Sequence, residues 1–153
     1  MPKPRRHPAT RTPATPAAPA DAARARIGGI GVDVCEIARV RRLVAGPTGP
    51  RFRDRVFTAR EQAYCEARGR TRAQSYAVRF AAKEAAMKAL GTGWGQGVGF
   101  RDVEVLRDGD DAPRLVLHGA AARVARRRGL AFWHVTLTHT RTTAMAWVLA
   151  ERA

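Results

Sequence analysis

The chain has 153 residues, 45% of them apolar and 27% charged, the profile of a single folded domain. No apolar run approaches the length of a membrane span, which excludes a membrane-spanning helix, and two cysteines, Cys35 and Cys65, have neither CxxC nor metal-ligand spacing, so they read as free thiols. The formal net charge of +15 is the anomaly, and it points to an anionic partner.

Residues 1–26 hold six Lys or Arg, one acid (Asp21) and six of the nine prolines. Nothing there forms a periodic apolar face, so the segment is expected to be a disordered, dispensable extension of the domain at 27–153. It has no hydrophobic stretch of the secretory kind, and free thiols suit a reducing compartment, so the expected location is cytoplasmic. Without the extension, 22 basic and 12 acidic residues leave +10.

Order is predicted to begin with IGGIGVDV (27–34), a short strand whose glycines signal a close backbone approach. EIARVRRLVAG (36–46) carries Ile37, Val40, Leu43 and Val44 as a helical stripe, with Arg39, Arg41 and Arg42 off it. GPTGP (46–50) ends that helix, and Phe52, Val56 and Phe57 lead to Thr58, which with Glu61 makes a capping box for a helix through about Arg68. The next helix is predicted from near Ser75 to Gly91, followed by a loop with glycine at 91, 93, 95, 97 and 99. VEVLR (103–107) and RLVLH (114–118) flank DGDDAP as a hairpin; GAAARVARRRGL (119–130) is a short basic helix; WHVTLTHT (133–140) and TTAMAWVLAE (142–151) are strands, the second too apolar for an exposed edge. The order β-α-α-α-β-β-α-β-β predicts an α+β fold, a helical layer on a mostly antiparallel sheet.

Candidate chemistry gathers on few residues. Asp33 and Glu84 are carboxylates among apolar neighbours, where acids are rare unless paired or metal-bound. Two readings are open: an N-cap-like Asp with a Glu84–Lys88 helix pair, or two acids from separate elements holding a divalent cation such as Mg²⁺, with Lys83 and Lys88 offsetting phosphate charge. Arg79 and Lys83 share one side of the helix at i,i+4, a pattern suited to a diphosphate. Gly91 is either a helix C-cap before a connector or the start of a loop whose bare backbone approaches a ligand; its spacing fits no dinucleotide or P-loop motif. His139 shares a strand face with Val135 and Leu137 and is either an ordinary strand-end polar residue or a donor to phosphate.

GIGVDVCEIARV (29–40), VFTAREQAYC (56–65), RFAAKEAAMKALGTG (79–93) and HVTLTHT (134–140) together resemble the holo-[acyl-carrier-protein] synthases, the short class of 4′-phosphopantetheinyl transferases, over about residues 27–152. The resemblance implies that a serine hydroxyl of apo acyl carrier protein attacks the β-phosphate of coenzyme A with Mg²⁺ present, phosphopantetheine is transferred and 3′,5′-ADP leaves. It implies Asp33 and Glu84 as metal-binding acids and Lys88 beside the transferring phosphate. Arg79 and His139 fall in the coenzyme site, and Arg39, with Arg41 and Arg42, where an acidic carrier docks. It also implies the family's fold and a homotrimer with active sites between subunits. Glu84 is the candidate base, directly or through a water. Thr136 stands where the family often has serine, and Cys35, two after Asp33, replaces the second acid of the longer class. A non-catalytic nucleic-acid-binding module is the alternative that the charge suggests; the aromatics are not interleaved with basic residues and no recognised RNA or DNA motif occurs.

Overall fold

The computed structural model describes residues 26–93, 96–108 and 111–153. Its elements are β1 (Ile27–Glu36), α1 (Ile37–Ala45), α2 (Gly49–Val56), α3 (Ala59–Glu66), α4 (Arg72–Ala89), β2 (Val103–Leu106), β3 (Arg114–Leu117), α5 (Gly119–Arg127), β4 (Leu130–His139) and β5 (Thr143–Arg152). The extension expected over 1–26 lies, Arg26 apart, outside the described residues, as do parts of the glycine loop and of the β2–β3 turn.

An antiparallel sheet in the order β1-β5-β4 carries α4 across one face, and β2 and β3 form a separate antiparallel pair. The apolar β5 is the central strand, as its composition predicted. One face of β5, Ala144, Ala146, Val148 and Ala150, is buried, and α4 meets the sheet with Ala81, Ala82, Ala85, Ala86 and Ala89. Small residues on both sides let the two layers come unusually close. Gly29 and Gly31 take this furthest, since a Cβ on either would collide with the carbonyl oxygens of Ala89 and Ala85. The alanines of α4 therefore serve contact as well as helix propensity.

The reading of the first connection needs correction. GPTGP ends α1, yet the chain turns at once into α2, adding a fourth helix before the hairpin. Gly49 and Pro50 occupy the first turn, where proline's missing N–H leaves nothing unsatisfied and its fixed φ suits the helix. Phe52 and Val56, four apart, then face the core. The capping box of α3 is present: Thr58 Oγ1 accepts from Glu61 N at 3.3 Å, and Glu61 Oε2 accepts from Thr58 N at 2.8 Å. The core beneath holds Phe57 edge-on to Tyr76, with Val40, Val44, Met87 and Leu90. Cys35 and Cys65 are buried and unpaired, and desolvation lifts their thiols to about 11 and about 12, so both are inert packing residues. Among the described residues no helix is long and apolar enough to cross a membrane.

Candidate active site

The close approach of β1 to α4 decides where the two acids go. Asp33, two residues beyond Gly31, and Glu84, on the adjoining turn of α4, line one cavity of about 590 Å³. Its walls are Val34, Cys35, Leu43, Phe52, Val56, Phe80 and Phe100, with Arg39 from α1 and Arg55 from α2 at its edge. Phe80 and Phe100 stack with centroids 5.4 Å apart. Lys88, one turn past Glu84, reaches across: its Nζ donates to Asp33 Oδ1 and to the Val32 carbonyl, each at 2.8 Å. Lys88 thus serves the strand acid, and the helix pair with Glu84 is not what forms. Burial holds the Glu84 carboxyl above its usual range, the charge of Asp33 adds to this, and Lys88 and Arg39 partly oppose it. Two hard carboxylates in one cavity, the charge of Asp33 disfavouring ionisation of Glu84, fit a divalent cation, which relieves that repulsion. Among the described residues no cluster of three metal-ligating side chains occurs, so further ligands would come from substrate and water.

A second cavity, of about 420 Å³, lies at the other end of α4 and has no acid in its lining. Arg68, Arg79, Arg107 and His139 face it together with Tyr64, Thr71, Gln74 and Ser75. Arg79 is only 3% exposed and has no carboxylate partner among the described residues. Its guanidinium stands 3.9 Å from the centre of the Tyr64 ring, Nη1 donates to the Ser75 carbonyl at 3.3 Å, and Nε is buried without an acceptor. A buried cation so poorly compensated costs several kcal/mol unless an anion arrives, on the order of the desolvation penalty of one ion. His139 sits at the end of β4, its Nδ1 3.1 Å from the Thr140 carbonyl oxygen, which can only accept, so Nδ1 carries the proton of that bond.

Two expectations resolve differently. Lys83 does not join Arg79 in facing a phosphate. It is fully buried, ion-paired to Glu61 Oε2 at 2.8 Å, and donates to the carbonyls of Phe100 (3.0 Å) and Val103. Helical spacing aligned the two Cα positions, but Glu61, itself 1% exposed, needed a cation and drew the lysine inward. Gly91 lines neither cavity. It adopts φ 66° after the last turn of α4, and Arg128, which donates to the Leu90 carbonyl, fills the space where a side chain would stand. Arg41 and Arg42 are exposed on α1, and only Arg39 of the three reaches the acid cavity. Conversely, Arg55, Phe80, Tyr64, Arg68 and Arg107 line the cavities without having been singled out; Arg55 was hidden by the unrecognised α2.

A family model described as the 4′-phosphopantetheinyl transferase superfamily matches residues 29–148. The chain belongs to that superfamily. As a phosphopantetheinyl transferase it has relatives that it spans almost end to end: it is 54% identical over 125 residues to a holo-[acyl-carrier-protein] synthase of Anaeromyxobacter dehalogenans strain 2CP-1, covering 80% of this chain and 94% of the relative. The corresponding protein of Solibacter usitatus is 44% identical, over 82% and 98%. Among solved structures, the synthase of Bacillus anthracis in complex with CoA (3′,5′-ADP) superposes with a TM-score of 0.69 at 32% identity, covering 84% of this chain and all of that one. That of Neisseria meningitidis gives 0.73 at 31%, over 82% and 99%. The resemblance drawn from four motifs therefore holds, and the nucleic-acid alternative has no support.

Proposed function

We propose that this transferase moves 4′-phosphopantetheine from coenzyme A to a serine of an apo acyl carrier protein, with the acid cavity as its reaction centre and the arginine cavity as its seat for the donor nucleotide. The observation that carries this is the pairing of Asp33 and Glu84 in one cavity with Lys88 between strand and helix. The Bacillus anthracis and Helicobacter pylori relatives, whose structures are described as complexes with CoA, support the donor.

Asp33 and Glu84 would hold Mg²⁺, which when bound neutralises the diphosphate and polarises its phosphorus. The carrier serine oxygen forms a bond to the β-phosphorus, the bond to the bridging oxygen of 3′,5′-ADP breaks, and the electron pair leaves with the nucleotide. Glu84, less acidic than a solvent-exposed carboxylate, takes the serine proton. Lys88 offsets charge on the phosphoryl and departing oxygens. Arg39 and Arg55, which both line the cavity, together with the exposed Arg41 and Arg42 of α1, receive the acidic carrier.

The working form is a homotrimer in the cytoplasm, serving fatty acid biosynthesis. Its support is the outer face of the sheet, where Ile30 (55% exposed), Val32, Val34, Phe132 and Trp147 (54%) leave large apolar side chains uncovered, as at an interface. In this reading the active sites lie between subunits, the arginine cavity of one subunit working with the acid cavity of the next. Mixing is the test. Glu84→Gln and Arg79→Gln proteins, each inactive alone, should regain part of wild-type transfer when unfolded and refolded together. No recovery, with trimers formed, would place both cavities' work within one subunit.

A further inference from the structure

The arginine cavity holds cations that should repel one another, and one aromatic ring gathers two of them. Tyr64, on α3, lies with the Arg68 guanidinium 4.2 Å and the Arg79 guanidinium 3.9 Å from its ring centre. Arg68, one helical turn beyond Tyr64, also donates to the Tyr64 hydroxyl. The arginines come from different elements, one after α3 and one on α4, and neither has a carboxylate partner among the described residues. Glu66, the nearest acid in sequence, is taken by Arg72 and Tyr76. The π-electrons of the ring are what the two charges share in place of an acid.

We infer that Tyr64 is a positioning residue: it presets Arg68 and Arg79 as a pair for a doubly charged phosphomonoester, and so makes this enzyme select coenzyme A over its 3′-dephospho form. This rests on the donor reading of the cavity given above. The diphosphate belongs with Asp33 and Glu84 in the other cavity, where the acids suit a metal and Lys88 stands beside Asp33. An acid-free cavity instead suits the one phosphate of the donor that needs no metal. Two guanidiniums present more donors, in fixed forks, than a single ion pair, and they favour the dianion over a neutral hydroxyl. An acid in place of the ring would have held the arginines equally well, but it would have cancelled the charge the ligand must find.

The test is steady-state transfer to an apo carrier by the full-length chain, with coenzyme A and with 3′-dephospho-coenzyme A as donors. Wild type should prefer coenzyme A. Tyr64→Leu should lose about tenfold of that preference, through a higher KM for coenzyme A at little change in kcat. Tyr64→Phe, which keeps the ring and loses only the hydroxyl, should retain most of it. Arg68→Gln, an exposed change that leaves the core alone, should lose it as Tyr64→Leu does, and decides the matter if Tyr64→Leu fails to fold. An unchanged donor ratio in both Tyr64→Leu and Arg68→Gln, or an equal fall in kcat with both donors, overturns the inference. A wild-type protein that uses neither donor overturns the underlying reading instead.

Discussion

The two ends of α4 are built on opposite electrostatic principles. At its C-terminal half, Glu84 shares a half-buried cavity with Asp33, and Lys88 ties the strand acid to the helix. At its N-terminal half, Arg79 is buried beside Arg68 and Arg107 with an aromatic ring in place of a counter-ion. Between them, Lys83 and Glu61 form a buried pair that satisfies itself completely: Glu61 also accepts from Val105 N at 3.0 Å and from Thr58 N at 2.8 Å. The comparison separates charges that are finished from charges that wait for a ligand. A side chain's sign and helical spacing do not distinguish these; its partners do.

The largest effect expected is at the acid end. Glu84→Gln should lower kcat about a thousandfold, within the range of a lost general base, while the folded state gains. Because the Glu84 carboxyl is raised in the folded state, it destabilises the protein as pH rises through its folded pKa. Glu84→Gln should therefore raise the melting temperature at pH 7, and the gain should vanish below the unfolded pKa, near about 4.3. A variant that loses activity and stability together would contradict this.

In the middle, Lys83→Met leaves Glu61 buried without its cation. It should cost about 3–5 kcal/mol in denaturant unfolding, whereas a lysine that served only phosphate would unfold like wild type. At the arginine end, Arg79→Gln should raise KM for coenzyme A by about thirtyfold, the worth of a charge-assisted hydrogen bond, with a smaller change in kcat. On the rim, Arg39→Glu should raise KM for the carrier about tenfold at low salt and less at high salt, leaving KM for coenzyme A in place. Equal effects on both substrates would move Arg39 out of the carrier's path. The smallest effect is the activity profile in pH: the rate should fall on the acid side at a higher pH than an ordinary glutamate would give, as the raised Glu84 carboxyl protonates.

Much of this was legible in the chain. The glycines of IGGIGVDV announced a close approach, and it is that approach which sets Asp33 against α4. The capping box, the hairpin and the central place of β5 followed from local rules that tertiary contacts did not override. What sequence left hidden was partnership. Pro50 marks a helix start as readily as a stop, so α2 and with it Arg55 were missed. Lys83 and Glu61 are twenty-two positions apart, and nothing in their spacing says that they meet. Lys88 serves Asp33, fifty-five positions away, rather than its helical neighbour.

The central claim, that Asp33 and Glu84 form one reaction centre for phosphopantetheine transfer, is tested most directly by the intact mass of an apo acyl carrier protein after incubation with this chain, coenzyme A and Mg²⁺. The carrier should gain one phosphopantetheine with wild type and gain none on the same timescale with Asp33→Asn, with Glu84→Gln, or with wild type in EDTA. No gain with wild type, or the same gain when either acid is neutralised, would contradict it.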